Sequence, residues 1–390
     1  MLRIKRIGIS LIVIAFFLNP LFLGILLSED GSIDHEKTKN FVIIFEIFLI
    51  ILGTILFKNP TFLKKVKYFC KTKRVEIFLL IFSIVISTIL GVIIFDITIY
   101  HQTNASRWHE FDSNLGWRNP INTSFRAWDN KKVSLNALGF RGEKINPDKS
   151  NFILYGDSVT FGFGVNDNET IAAYLQEYYP SVQVLNAGVI GYGLDQSWLN
   201  MKHSLNKLDP EIVILVIYGG NDLEDTKKDY SNKRSKPLFS VKDGKLIKEK
   251  ASLSKNSCMN LMGKSYVMTS LPYLLINTVC NNKRLGKDAS KELIKTLLES
   301  IKKEVEANDA KLVIVLTPSI YDFEKETPDF SFFKSILREE DISYIDIKHG
   351  FSDFDSIDNL FIDLHHFSPE GNFLVANEIR NHLNVASSSD

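Results

Sequence analysis

The chain has almost no cysteine. Three in 390 residues are too few for a disulfide framework. Cys70 lies in a basic stretch. Cys258 and Cys280 share a later segment, where they either pair, if that segment faces an oxidising compartment, or stand as two free thiols. Net charge is also missing. The 46 Lys and Arg balance 46 Asp and Glu, which leaves no electrostatic case for nucleic acid as a partner. No Walker sequence occurs, and Gly162-Phe163-Gly164 lacks the third glycine and the ribose-binding acid of a dinucleotide site. Asp363 with two adjacent histidines has no further ligand cluster near it in sequence, so neither a metal nor another cofactor is expected. Internal repeats and low-complexity tracts are absent as well.

The apolar residues are unevenly placed. Three apolar runs, 7–27, 41–57 and 75–100, fill most of the first hundred positions. The first and third exceed the roughly 20 residues a helix needs to cross a bilayer, and the second is near the lower limit of roughly 17. Glu46 sits inside the second and must be protonated, paired or turned toward a neighbouring helix. A cleaved signal peptide is the alternative for the first run, but the stretch is long for one and no small-residue cleavage site follows. Flanking charge sets the expected orientation. Arg3, Lys5 and Arg6 precede the first run, and Lys58, Lys64, Lys65, Lys67, Lys71, Lys73 and Arg74 separate the second from the third without an acid. Basic linkers stay cytoplasmic. Three spans satisfy both basic regions, and everything after Tyr100 is then extracytoplasmic, in a protein of the cytoplasmic (inner) membrane.

From about residue 101 the composition becomes that of a soluble domain. Residues 101–150 form a lead-in rich in Asn, Trp, Arg and Gly. A β/α alternation follows over 151–385. Strands are predicted at 152–155, 182–185, 212–217, 312–316 and 344–347, and helices at 170–179, 194–208, 290–308, 332–338 and 370–383. Short β-branched runs between helical patterns imply an α/β fold with a parallel sheet covered on both faces. Its ligand crevice would lie at the C-terminal strand ends. The interval 223–288 breaks the alternation and reads as an insertion, the usual place for a lid or a substrate-binding element. Its apolar stretch 266–276 is too short to span a membrane and is expected to pack on the domain, with an acyl-binding wall or bilayer contact as the sharper alternative. The tail 386–390 reads as disordered.

Four polar or glycine-rich motifs fall at the expected crevice. Gly156-Asp157-Ser158 follows the first strand, Asn186-Ala-Gly188-Val-Ile-Gly191 the second, and Gly219-Gly220-Asn221-Asp222 the third. Asp363-Leu364-His365-His366-Phe-Ser-Pro-Glu-Gly371 lies near the end. A serine hydroxyl is a weak nucleophile until a base takes its proton, and the base works best when a carboxylate orients it. Asparagine suits an oxyanion because it donates without titrating. Taken singly, each motif also fits a capped βα turn or a surface histidine. All four in order, each at a strand end, are harder to explain that way.

Together these blocks resemble those of the SGNH (GDSL) hydrolases, over about residues 150–385. The resemblance implies a flavodoxin-like three-layer α/β/α fold, here preceded by transmembrane helices. It implies Ser158 as nucleophile, His366 as base and Asp363 as its orienter. The Ser158 amide, Gly191 and Asn221 would form the oxyanion hole, with Gly188 close enough to compete with Gly191. The Asp-x-x-His spacing selects His366 over His365. No cofactor is implied. Leu115-Gly-Trp117-Arg118 and Asn136-Ala-Leu-Gly-Phe-Arg141 look like a lead-in found in some bacterial members, expected to pack on the domain or line the cleft. The expected activity is hydrolysis of an acyl ester, on an envelope glycan or lipid given the location. An O-acyltransferase using the same acyl-enzyme is the first alternative, and a non-catalytic glycan- or partner-binding module the second.

Overall fold

The computed structural model describes residues 9–15, 36–58, 82–83, 86–87, 109–231, 234–252, 280, 282–351, 354 and 356–387. The chain divides into two compact units, Met1–Phe95 and Asp96–Asp390.

In the first unit the middle apolar run lies within helix α1, Glu36–Lys58, 23 residues long. Its large apolar side chains include several that stay exposed, Phe48 and Ile51 by more than half (55% and 53%). Charged residues mark both ends of α1, and Glu46 interrupts it. Among the described residues no helix is long and apolar enough to cross a membrane. The runs 7–27 and 75–100 fall mostly outside the described residues. Cys70, Cys258 and the stretch 266–276 lie entirely outside them.

The second unit begins with two antiparallel hairpins. One pairs β1 (Glu110–Asp112) with β2 (Gly116–Arg118), the other β3 (Thr123–Ala127) with β4 (Lys131–Leu135). The central sheet takes β5 (Asn151–Tyr155), β6 (Gln183–Asn186) and β7 (Pro210–Tyr218). Two small hairpins follow, β8 (Tyr230–Ser231) with β9 (Arg234–Ser235), and β10 (Leu238–Lys242) with β11 (Lys245–Glu249). Strands β12 (Lys311–Thr317) and β13 (Tyr344–Asp346) complete the sheet in the order β13-β12-β7-β5-β6. All four of its pairings are parallel. This is the flavodoxin-like strand order, whose direction reverses between β5 and β7 and leaves a crevice at their C-terminal ends.

Side-chain alternation along β7 shows why the sheet is covered on both faces. Val213, Leu215 and Ile217 enter one apolar cluster, and Ile214, Val216 and Tyr218 enter the other. The connecting helices are α2 (Ser158–Phe161), α3 (Ile171–Tyr178), α4 (Leu194–Ser204), α5 (Asp222–Thr226), α6 (Lys287–Glu306), α7 (Tyr321–Glu324), α8 (Pro328–Glu339), α9 (Ile347–Gly350) and α10 (Pro369–Ser387). The first cluster takes Leu199 of α4, Leu293, Leu297 and Ile301 of α6, and Phe330 and Phe333 of α8. The second takes Ile171 and Leu175 of α3 with Val375 and Ile379 of α10. The spacing of three to four residues in each is the apolar stripe of a helix lying on a sheet.

Several boundaries differ from the sequence reading by a few residues, two of them near the end of the chain. The last strand stops at Asp346, because Ile347 opens α9. Residues Ala386 and Ser387 of the supposed disordered tail continue α10. Part of the 223–288 insertion is ordered structure that covers the core. Phe239 on β10 is buried in the first cluster and meets Trp198 edge-on, ring centroids 5.6 Å apart.

Candidate active site

The turn that carries Ser158 is built by steric exclusion. A Cβ at Gly156 would collide with Thr160 Oγ1 and lie 2.8 Å from the Val216 carbonyl oxygen. Only glycine lets β5 turn so sharply into α2. Asp157 caps that helix, its Oδ1 accepting from Val159 N at 2.9 Å. Ser158 is thereby the first helical residue, at the C-terminal end of β5.

His366 arrives from the far end of the sequence. The turn before α10 is tied by Asp363, whose Oδ1 accepts from the backbone N–H of His365 and of His366, each at 2.8 Å. The same carboxylate holds the His366 ring through Nδ1, at 2.8 Å from Oδ2. A carboxylate can only accept, so Nδ1 carries the proton and Nε2 is the free base. Nε2 lies 2.9 Å from Ser158 Oγ, across 208 positions of sequence. Of the two histidines, His366 therefore meets the serine. The Nδ1 of His365 instead pairs with the Tyr218 hydroxyl at 2.9 Å.

Aromatic packing fixes the plane of the base. Phe163 stacks on His366 with centroids 4.3 Å apart, and Trp128 packs on Phe163 at 4.5 Å. Trp128 sits at the tip of the β3–β4 hairpin, where Trp128, Asp129 and Asn130 all have positive φ (38°, 51° and 74°). Three non-glycine residues in that region persist only when surrounding contacts hold them.

Burial pulls the pKa of His366 below its ordinary 6.5, and the Asp363 carboxylate opposes it without cancelling it. Asp363 itself titrates below its usual range: burial works against its charge, but the His366 ring and the backbone N–H groups outweigh it. Behind the serine, burial raises the pKa of both Asp157 and Asp222; the charge of Asp225 raises Asp157 further, and that of Asp157 raises Asp222 further. If neutral His366 is the working base, kcat/KM rises with pH and levels off by about pH 7. A pH–rate profile checks this, and one still climbing beyond about pH 8 would contradict it.

The other two predicted site residues flank the serine on neighbouring loops. Gly191 follows β6 with φ of 78°, a left-handed conformation suited to glycine. Its amide has no hydrogen-bond partner among the described residues, whereas the Gly188 amide is committed to Asn186 Oδ1 at 3.1 Å. A Cβ on Gly188 would press into the backbone of Thr160 and Phe161, so this glycine serves close packing against α2. Asn221 precedes α5 after β7, and its buried Oδ1 makes no hydrogen bond among the described residues.

The lead-in is wired into the site more closely than its sequence suggested. Arg141 is buried and donates to the carbonyls of Lys132, Phe161, Gly162 and Val165 and to Asp167 Oδ1. It thus clamps the chain immediately after α2, the helix that begins with Ser158. Trp117 and Asn119 reach the loop of Gly188 and Gly191: Trp117 Nε1 donates to Ile190 O at 3.1 Å, and Asn119 Nδ2 to Gly188 O at 3.1 Å. Within the insertion, Lys236 Nζ lies 2.6 Å from Asp195 Oδ2, both side chains fully buried. The clustering of Trp, Asn and Arg before the first strand was the one signal for these contacts. None marked Lys236 or Phe163.

Residues 152–379 match the family described as GDSL-like Lipase/Acylhydrolase. No curated protein matches the chain. Among solved structures, similarity extends to the psychrotrophic esterase EstA from Pseudoalteromonas sp., at 12% identity over 61% of this chain and 99% of that one, TM-score 0.36. It extends also to the lipase/acylhydrolase from Enterococcus faecalis (16% identity, 60% and 95% covered, TM-score 0.36) and to the acetyl xylan esterase AlAXEase (15%, 60% and 98%, TM-score 0.35). With the family's span running from β5 to α10 and enclosing both Ser158 and His366, the chain belongs to the GDSL-like lipase/acylhydrolase family.

Proposed function

We propose that the chain is a membrane-anchored serine esterase whose second unit works outside the cytoplasmic membrane, on O-acyl groups of envelope glycans or lipids. The observation that carries the enzymatic part is the 2.9 Å contact of Ser158 Oγ with His366 Nε2, while Asp363 holds the other ring nitrogen. In the reaction, Oγ attacks the ester carbonyl carbon as Nε2 takes its proton. The carbonyl oxygen becomes an oxyanion facing the amides of Ser158 and Gly191 and the Asn221 side chain. Collapse of the tetrahedral species expels the alkoxide, which takes the proton from Nε2. Water then attacks the acyl-serine by the same route and releases the acid. Donors aimed at charge that appears only in the tetrahedral state lower the barrier without tightening ground-state binding, each by about 3 kcal/mol. The free Gly191 amide and the committed Gly188 amide favour Gly191 for this role.

The anchoring part rests on other grounds. Three apolar runs separated by one acidic and one basic linker fit an odd number of spans. The exposed Ile47, Ile50, Ile51 and Ile55 of α1 suit a non-aqueous neighbour. Cys280 is disulfide-bonded, its partner outside the described residues, and disulfides persist in oxidising compartments. Product analysis on model acyl esters, with and without a glycan acceptor, tests the reaction. Free acid as the main product in both arms is expected; acyl transfer to the glycan would make the chain an acyltransferase, and no product in either arm a binding module. A periplasmic reporter fused after residue 105 is expected to be active, and a cytoplasmic signal there would overturn the orientation.

A further inference from the structure

We infer that Trp117 is a positioning residue for catalysis, holding the Ile190–Gly191 peptide in the one orientation that presents the Gly191 amide to an oxyanion. This rests on the reading of Gly191 as an oxyanion donor.

The Ile190 carbonyl and the Gly191 N–H belong to a single peptide plane. No cis peptide bond occurs among the described residues. In a trans peptide the C=O and the N–H point in opposite directions, so fixing one fixes the other. The Trp117 indole N–H donates to Ile190 O at 3.1 Å. The Gly191 N–H therefore points away from Trp117 and is claimed by no acceptor among the described residues. Without that bond the plane is free to flip, because Gly191 has φ of 78° and no Cβ to resist either conformer. A flipped peptide would turn a carbonyl oxygen, not a donor, toward the developing negative charge. Donating to the carbonyl also polarises the amide and strengthens its N–H as a donor.

Trp117 is itself held tightly. Its ring is fully buried, in a small cluster with Val189 and Tyr192 that is separate from the two faces of the sheet. Tyr192 meets it edge-on at 5.7 Å and donates its hydroxyl to Trp117 O at 2.5 Å. Asn119, two residues on, binds the carbonyls of Gly139 and Gly188 and so secures the other end of the loop. Gln196 Nε2 secures Leu115 O at 2.7 Å on the near side. A buried indole N–H needs an acceptor, and the one it takes here is the carbonyl of the very peptide that carries the Gly191 amide.

Two variants test the idea. Trp117→Phe keeps an aromatic ring and removes the N–H. Tyr192→Phe keeps both rings and removes the tether on Trp117. Active sites are counted by fluorophosphonate titration, and kcat is expressed per labelled site. Trp117→Phe is expected to lower kcat per site about tenfold with KM changed less than about twofold. It should weaken a trifluoromethyl ketone, a mimic of the tetrahedral state, in parallel with kcat/KM. Tyr192→Phe is expected to shift both readouts in the same direction by a smaller factor, and it decides alone if Trp117→Phe does not fold. Wild-type kcat per site and wild-type ketone affinity, with only fewer labelled sites or a lower Tm, would overturn the inference and leave Trp117 as packing. A wild-type chain that takes no label overturns the underlying esterase reading instead.

Discussion

Ser158→Ala is expected to lower kcat by about 10⁴-fold or more, while Tm moves by no more than a few degrees. The size follows from what the substitution removes. Oγ supplies the electrons for the new bond, and no other hydroxyl is held 2.9 Å from His366 Nε2 among the described residues. The small change in stability follows from what remains. The α2 cap is made by Asp157 and the turn by Gly156, neither of which needs the Oγ. Residual turnover would come from donors that still bind the oxyanion while water attacks directly. For the same reason Ser158→Ala/His366→Ala should be no slower than either single variant, since the two act as one unit. Turnover within tenfold of wild type would remove Ser158 from the mechanism.

Lys236→Met is expected to cost about 3–5 kcal/mol of folding stability, read by chemical denaturation. Lys236 Nζ is buried with three acceptors: Asp195 Oδ2 at 2.6 Å, Asp225 O at 2.8 Å and Lys228 O at 3.1 Å. Methionine fills the same space but leaves Asp195, itself fully buried, facing no cation. Burial already raises the pKa of Asp195 despite the ammonium beside it. Removing Lys236 raises it further, and a carboxyl whose folded pKa lies above its unfolded one loses stability as pH rises through the folded value. The deficit should accordingly be smaller at pH 5 than at pH 8. Lys236→Met/Asp195→Leu should recover much of it, because an apolar pair needs no compensation. A loss under about 1 kcal/mol in Lys236→Met would mean that water or another cation reaches Asp195.

The parts of the structure that were legible in sequence are those written in local pattern. Strand runs such as 312–316 and the apolar stripe of 290–308 fall within a few residues of β12 and α6, because a covered parallel sheet needs continuous β-branched runs and a covering helix needs spacing of three to four. The Asp-x-x-His pattern of the family resemblance pointed to His366 over His365, and Asp363 accepts from the His366 backbone N–H and holds its ring. Contacts that depend on backbone acceptors left no trace. Arg141 spends most of its donors on carbonyls, and carbonyls look alike in every residue. The Trp117 bond to Ile190 O spans 73 positions and has the same character. Lys236 and Asp195 are 41 positions apart, in an insertion and a helix whose association no periodicity announces. Phe163 read as part of a glycine-flanked turn, and only the fold shows its ring lying on the His366 imidazole.

Ser158 and His366 are expected to act as one nucleophilic unit, which covalent capture reads out. The folded wild-type chain is incubated with a fluorophosphonate and digested, and the modified peptide is identified by mass spectrometry. One adduct is expected, on Ser158, and it disappears in His366→Ala. A folded wild-type chain left unmodified, or one modified at another residue, would contradict it.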